Sequence, residues 1–182
     1  MPKINVLPKE VYQLIAAGEV VERPSSVVKE MIENSIDAGA KNITVEIKHG
    51  GTTYIRITDD GCGIARSEVK KVFVSHATSK IETGNDLEHI GTLGFRGEAM
   101  ASISAVARVQ LLTKSADEEV GTYYEIAGSQ EISLKDAGCP NGTTIAVSNI
   151  FYNTPARMKF LKKDVTEGNA VASVVEKIAL SH

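Results

Sequence analysis

The sequence predicts an α+β domain: a two-layer sandwich in which helices cover one face of a mixed, mostly antiparallel sheet. Three observations carry this. Val27, Val28, Met31, Ile32, Ser35 and Ile36 form an apolar stripe of period 3.6. Residues 43–57 read as a β-hairpin, because Ile43, Val45 and Ile47 alternate with polar residues, Gly50 and Gly51 supply a turn, and Ile55 and Ile57 resume the alternation. The strand-like runs further along then follow one another without alternating with helices, which disfavours a doubly wound parallel sheet.

Taken in order, Val11, Leu14, Ile15 and Gly18 recur at helical spacing and predict a short first helix, interrupted by Pro24. The second helix runs from Val27 to a C′ stop at Gly39. Its other side carries Glu30, Glu33, Asn34 and Asp37, more polar chemistry than a solvated face requires. After the hairpin, Asp59-Asp60-Gly61-Cys62-Gly63 closes the second strand, and Val69, Val72 and Phe73 predict one more short helix. Residues 76–97 hold Gly84, Gly91, Gly94 and Gly97 among Thr and Ser, without an apolar period. A loop of that length inside a compact domain is usually functional or mobile. Residues 98–104 are helix-compatible, the runs 106–113, 122–127 and 143–147 read as strands, and Ala170, Val171, Val174, Val175, Ile178 and Ala179 mark a last helix. No repeat or linker interrupts the chain, so residues 1–182 are expected to form one domain.

Composition narrows the class. The 182 residues include 20 Lys plus Arg and 23 Asp plus Glu, a formal net charge of −3, which excludes a generally basic nucleic-acid binder. With 42% hydrophobic and 24% charged residues the composition is that of a globular domain and lacks the charge excess of a disordered chain. Cys62 and Cys139 form no CxxC or Cys/His spacing, so neither a zinc site nor a disulfide framework is expected, and a reducing intracellular setting fits. No apolar run is long enough for a membrane span, and Pro2 and Lys3 do not open a secretory signal.

Several residues are arranged to do chemistry. Glu30 and Asn34 stand at i and i+4, so a carboxylate and an amide share one helix face. The amide oxygen suits a hard cation such as Mg²⁺, and the carboxylate can polarise a water as general base. In Asp59-Asp60-Gly61-Cys62-Gly63 an aspartate ends a strand beside two glycines that let backbone approach a flat ligand. It is not a Rossmann fingerprint, because Arg66 stands where the third glycine belongs. Gly91-Thr92-Leu93-Gly94-Phe95-Arg96-Gly97-Glu98 places glycines and an arginine just before a helix start, where backbone N–H groups can wrap phosphate, with Thr78, Ser79 and Lys80 as partners. Gly142-Thr143-Thr144 opens a strand with hydroxyls, and Arg157, Lys159, Lys162 and Lys163 are locally basic. Each motif alone also has an ordinary reading: solvated helix polars, a turn, a ligand-free loop, a β surface or a solvated charge run.

Their order is more informative. An E-x-x-x-N helix, a strand ending in D-x-G-x-G, a long glycine-rich segment and a G-T-T strand resemble the ATPase module shared by gyrase, a heat-shock chaperone family, histidine kinases and MutL. The strings IAAGEVVERPSSVVKEMIENSIDAGA (15–40), DDGCGI (59–64), HATSKI (76–81), GTLGFRGEA (91–99) and FYNTPAR (151–157) resemble the MutL family of DNA mismatch repair proteins over nearly the whole chain.

That resemblance implies a Bergerat-type ATPase fold binding ATP and Mg²⁺. It implies Glu30 as the residue activating water, Asn34 as the Mg²⁺ ligand and Asp59 as reader of the adenine amino group, with Gly63 and Thr143 completing the base pocket. Thr78, Ser79, Lys80, Gly94, Phe95, Arg96, Gly97 and Glu98 would belong to a phosphate-covering lid. It further implies slow hydrolysis and an ATP-dependent N-terminal homodimer. The implied partners are the mismatch recognition protein MutS and a downstream repair nuclease or helicase, in the cytoplasm or at the nucleoid. Family members continue into a second domain that supplies a lysine to the γ-phosphate, and this chain stops before it, so weak hydrolysis and weak DNA binding are expected of it alone. Two other readings compete. A histidine-kinase ATPase domain is disfavoured by FYNTPAR and a general-base Glu30; a non-enzymatic interaction module would instead rest on Arg157 to Lys163.

Overall fold

The computed structural model describes residues 5–6, 8–77 and 97–182. Among them, five α-helices and six strands follow in chain order: α1 (Lys9–Val20), α2 (Pro24–Asp37), β1 (Ile43–Lys48), β2 (Tyr54–Asp59), α3 (Ala99–Val106), β3 (Arg108–Lys114), β4 (Gly121–Ala127), β5 (Gln130–Ala137), β6 (Gly142–Ser148), α4 (Pro155–Met158) and α5 (Asp164–Ser181). The six strands form one sheet in the order β1-β2-β6-β3-β4-β5. Every pairing in it is antiparallel, so the sheet takes the antiparallel limit of the predicted range.

Cross-strand register explains why the sequence alternates as it does. Ile47, Ile55, Val147, Val109 and Ile126 stand opposite one another across β1, β2, β6, β3 and β4. Two residues along, Val45, Ile57, Ile145, Leu111, Tyr124 and Leu134 make a second apolar row reaching β5. Because side chains two apart share a face, both rows look the same way, toward the helices. Ile55, Val109, Leu111 and Val147 are fully buried there with Val27, Val28 and Met31 of α2 and Ile103 and Val106 of α3. The other face is polar and carries the Arg56–Glu46 and Arg108–Glu125 ion pairs.

A third row breaks the apolar pattern: Ile43, Asp59, Thr143, Thr113, Thr122 and Asp136. The inner face is thus an apolar core for two rows and a polar floor for the next.

Several elements differ from the sequence reading. Pro24 does not merely interrupt a helix; it occupies the first turn of α2, where its missing N–H costs nothing. Gly39 stops that helix with φ +74 as expected. Val11 and Ile15, read as part of the first helix's apolar face, are exposed, while Ala17 is fully buried. The short helix near Val69 is a 3-10 turn, Lys71–Phe73. Strand β5 is absent from the sequence reading because it is a mostly exposed edge strand with little apolar signal beyond Ile132 and Leu134. Helix α5 begins well before its apolar run, at Asp164. Among the described residues no helix is long and apolar enough to cross a membrane.

Candidate nucleotide site

Helix α2 buries Val27, Val28, Met31, Ile32 and Ser35, which fixes its rotation and leaves Glu30 and Asn34 half-buried beside that face. Lys29 lies 4.0 Å from the Glu30 carboxylate and 2.7 Å from that of Glu33, and offsets part of the negative charge on that side of the helix.

Asp59 ends β2 on the polar row. Its Oδ1 accepts the Gly61 N–H at 3.0 Å and its Oδ2 accepts the Ser35 hydroxyl at 2.8 Å. The carboxylate is therefore held in one plane by a turn on one side and by α2 on the other. The turn is anchored too: Cys62 donates its N–H to Ala38 O at 3.0 Å, just past the end of α2. Gly63, at φ +71, lies so close to β3 that a Cβ there would overlap the Lys114 carbonyl. The next residue, Ile64, donates its N–H to Thr113 Oγ1 at 2.9 Å.

Thr113 is the hub of the floor. Its hydroxyl donates to Gly142 O at 2.9 Å and lies 3.0 Å from Thr143 Oγ1. One hydroxyl has one proton, so with Thr113 committed to the carbonyl, Thr143 is the donor to Thr113 and keeps its lone pairs. Gly142, at φ +110, packs on the Asp59 carbonyl, which any side chain would overlap. Gly97, at φ +62, meets Ala77 in the same way, with 2.8 Å left between a Cβ and the Ala77 carbonyl carbon. Glu98 precedes α3 and its carboxylate takes both the His76 backbone N–H, at 3.0 Å, and the His76 ring, at 2.6 Å.

Asp60 does different work from its neighbour. It accepts the backbone N–H groups of Lys41 and Asn42 and the Asn42 side-chain amide, all within 2.9 Å. Those donors, the Asn42 amide foremost, hold its carboxyl down at about 2. It locks the 38–42 loop and leaves Asp59 to face inward.

The structure therefore brings Asn34, Asp59, Gly63 and Thr143 to one end of the inner face, with Glu30 one turn back along α2. Gly97 and Glu98 stand at the start of α3, which packs on α1 and α2. Thr78, Ser79, Lys80, Gly94, Phe95 and Arg96 lie outside the described residues. Two contributors escaped the sequence reading as site residues: Ser35 and Thr113. Ser35 had a visible signal, a hydroxyl inside an otherwise apolar stripe. Thr113 ends a strand and reads as ordinary β surface until the register is known. Arg157 is not part of an exposed basic patch; its guanidinium presses on Gly18 of α1, with a buried nitrogen, over the Phe151 ring at 5.9 Å. A groove of about 330 Å³ between β1 and α5, lined by Val45, Ile47, Val171 and Val175, borders none of the candidate residues.

A one-sided antiparallel sandwich whose floor ends in a fixed carboxylate and a close-approach glycine turn, beneath a helix bearing Glu and Asn, defines a nucleotide-binding ATPase domain. The model of the histidine kinase-, DNA gyrase B- and HSP90-like ATPase family matches residues 22–146, and the chain belongs to that family. Within it, the likeness to MutL holds over the full chain. DNA mismatch repair protein MutL of Agathobacter rectalis is 59% identical over 182 residues, covering 100% of this chain and 28% of that protein. The MutL of Thermoanaerobacter pseudethanolicus is 53% identical, again over 100% of this chain and 30% of that protein. Among solved structures, the Aquifex aeolicus MutL ATPase domain complexed with ADP aligns with TM-score 0.73 and 34% identity, covering 88% of this chain and 56% of that one. The chain thus spans under a third of the length of these curated relatives.

Proposed function

We propose that this chain is the ATP-binding and slowly ATP-hydrolysing part of a DNA mismatch repair protein, in which nucleotide state drives conformation and dimerisation. The observation that carries the reading is Asp59: a half-buried carboxylate, fixed by Gly61 and Ser35, with acceptor capacity left for the exocyclic amine of adenine. The ADP complex of the Aquifex aeolicus relative supports it.

In this reading Gly63 and Thr143 border the base, and the backbone N–H groups opening α3, after Gly97 and Glu98, face phosphate. Glu30 accepts a proton from the attacking water. The amide oxygen of Asn34, one helical turn from the Glu30 carboxylate, suits Mg²⁺, a hard cation that keeps waters and substrate phosphates and needs few protein ligands. Asn34 would hold it through the amide oxygen, and the ion would neutralise charge on the phosphates. The homodimer, a MutS-type mismatch recogniser and a downstream nuclease or helicase belong to the same proposal, as does DNA contact by the longer protein.

The test is thermal unfolding with Mg²⁺ and a non-hydrolysable ATP analogue, because a ligand that binds only the folded state raises its stability. The parent should shift upward and Asp59→Ala should not. Glu30→Ala should keep the shift and lose at least 100-fold in turnover, of the order expected for a general base. An unaltered shift in Asp59→Ala would overturn the base-pocket assignment, and sustained turnover in Glu30→Ala would remove Glu30 from catalysis.

A further inference from the structure

We propose that Ser35 is a positioning residue for base selectivity, acting through Asp59; the inference rests on the reading of Asp59 as the adenine acceptor. Ser35 is 4% exposed, on the core-facing side of α2, one residue after Asn34. Its hydroxyl lies 2.8 Å from Asp59 Oδ2 and 3.2 Å from Met31 O. A serine inside a helix ordinarily returns its proton to the carbonyl four residues back. Here the shorter contact is to a carboxylate, and a charge-assisted hydrogen bond is the stronger of the two, so the proton goes to Asp59.

The consequence is geometric. An aspartate side chain turns freely about a broad terminal torsion unless something holds it. With the Gly61 N–H on Oδ1 and the Ser35 hydroxyl on Oδ2, both oxygens are fixed, and each keeps a second lone-pair direction. Those remaining directions lie in one plane, the condition for accepting an in-plane N–H from an aromatic amine. A site built to pair such a donor discriminates against ligands lacking it. Ser35 also ties the helix bearing Glu30 and Asn34 to the strand bearing Asp59, so base recognition and the phosphate end share a mechanical link.

The experiment compares the binding of ADP with that of the diphosphate of purine riboside, which has hydrogen in place of the 6-amino group. It uses the parent chain, Ser35→Ala, and Ser35→Thr, which keeps a hydroxyl. The parent should prefer ADP. Ser35→Ala should lose ADP affinity about tenfold, the scale of one hydrogen bond to a charged group, with the analogue's affinity unchanged. Ser35→Thr should retain the preference. Equal loss for both ligands in Ser35→Ala, or an undiminished preference for ADP, would overturn the positioning role. A parent that binds both ligands equally would overturn the Asp59 reading itself, which separates the two failures.

Discussion

Asp60 and Thr122 show how differently two polar residues near one site bear on stability. Asp60 is ionised far below the ordinary range, about 2 against 3.8, because the Asn42 amide and two backbone N–H groups point at it. A carboxyl whose folded pKa is depressed contributes stability that is complete above 3.8 and is lost as pH falls through about 2. Unfolding midpoints of the parent should therefore fall between those pH values, and Asp60→Asn should flatten that part of the profile; an unchanged acid limb would contradict the assignment. Thr122 is 1% exposed on the polar row, and its hydroxyl has no hydrogen-bond partner among the described residues. Thr122→Val keeps the shape and removes the unpaired group, and is expected to stabilise by about 1 kcal/mol in urea unfolding. Glu30, Asn34, Asp59 and Thr143 stood out in the sequence as chemistry-bearing residue types, and the roles proposed for them come from the family resemblance. What fixes Asp59 was legible only in part: the Gly61 N–H reaches it locally, from two residues on in the same turn, whereas Ser35 reaches it from α2 through packing that no spacing reveals.

At the scale of elements, the entry to α2 is tied to α5. Arg23, the residue preceding α2, donates two hydrogen bonds to Glu167 Oε2, at 3.0 and 3.1 Å, and the Lys162 N–H donates to Oε1 at 2.9 Å. Glu167 is 1% exposed, yet each of its oxygens is satisfied, which is how a carboxylate is tolerated inside a core. Glu167→Ala would leave the arginine facing an emptied site. Since its guanidinium retains solvent contact, the expected cost is about 2 kcal/mol, below that of a fully buried pair. The measurement is chemical denaturation with the nucleotide shift beside it, and a change under 0.5 kcal/mol, the range of an ordinary surface substitution, would mean that the pair is only a surface contact. Helices α2 and α5 and the β1–β2 hairpin were readable because their apolar period is strong. Strand β5 was not, since one of its faces is solvated and its pairing bulges between Glu125 and Ile126.

For the whole molecule, the layer arrangement was predictable because the strand runs follow one another rather than alternate with helices. Strand order was not, because β6 inserts between β2 and β3 through contacts distant in sequence. That insertion places Thr143 between Asp59 and Thr113, and thereby makes a floor from three separate segments. The polar row also has an evolutionary consequence. The residues that bury the core lie in the two apolar rows, whereas Asp59 and Thr143, proposed to border the base, lie in the row one pleat further on, so the two sets occupy separate positions. On that proposal, positions 59 and 143 could be rewritten to admit a different ring while Ile55, Ile145, Val147 and Leu111 continue to specify the same sandwich. A deletion of one residue within β6 would by contrast turn that strand's contributions to the core and to the polar row onto opposite faces together, so a ligand change by substitution leaves the core in place and one by slippage does not.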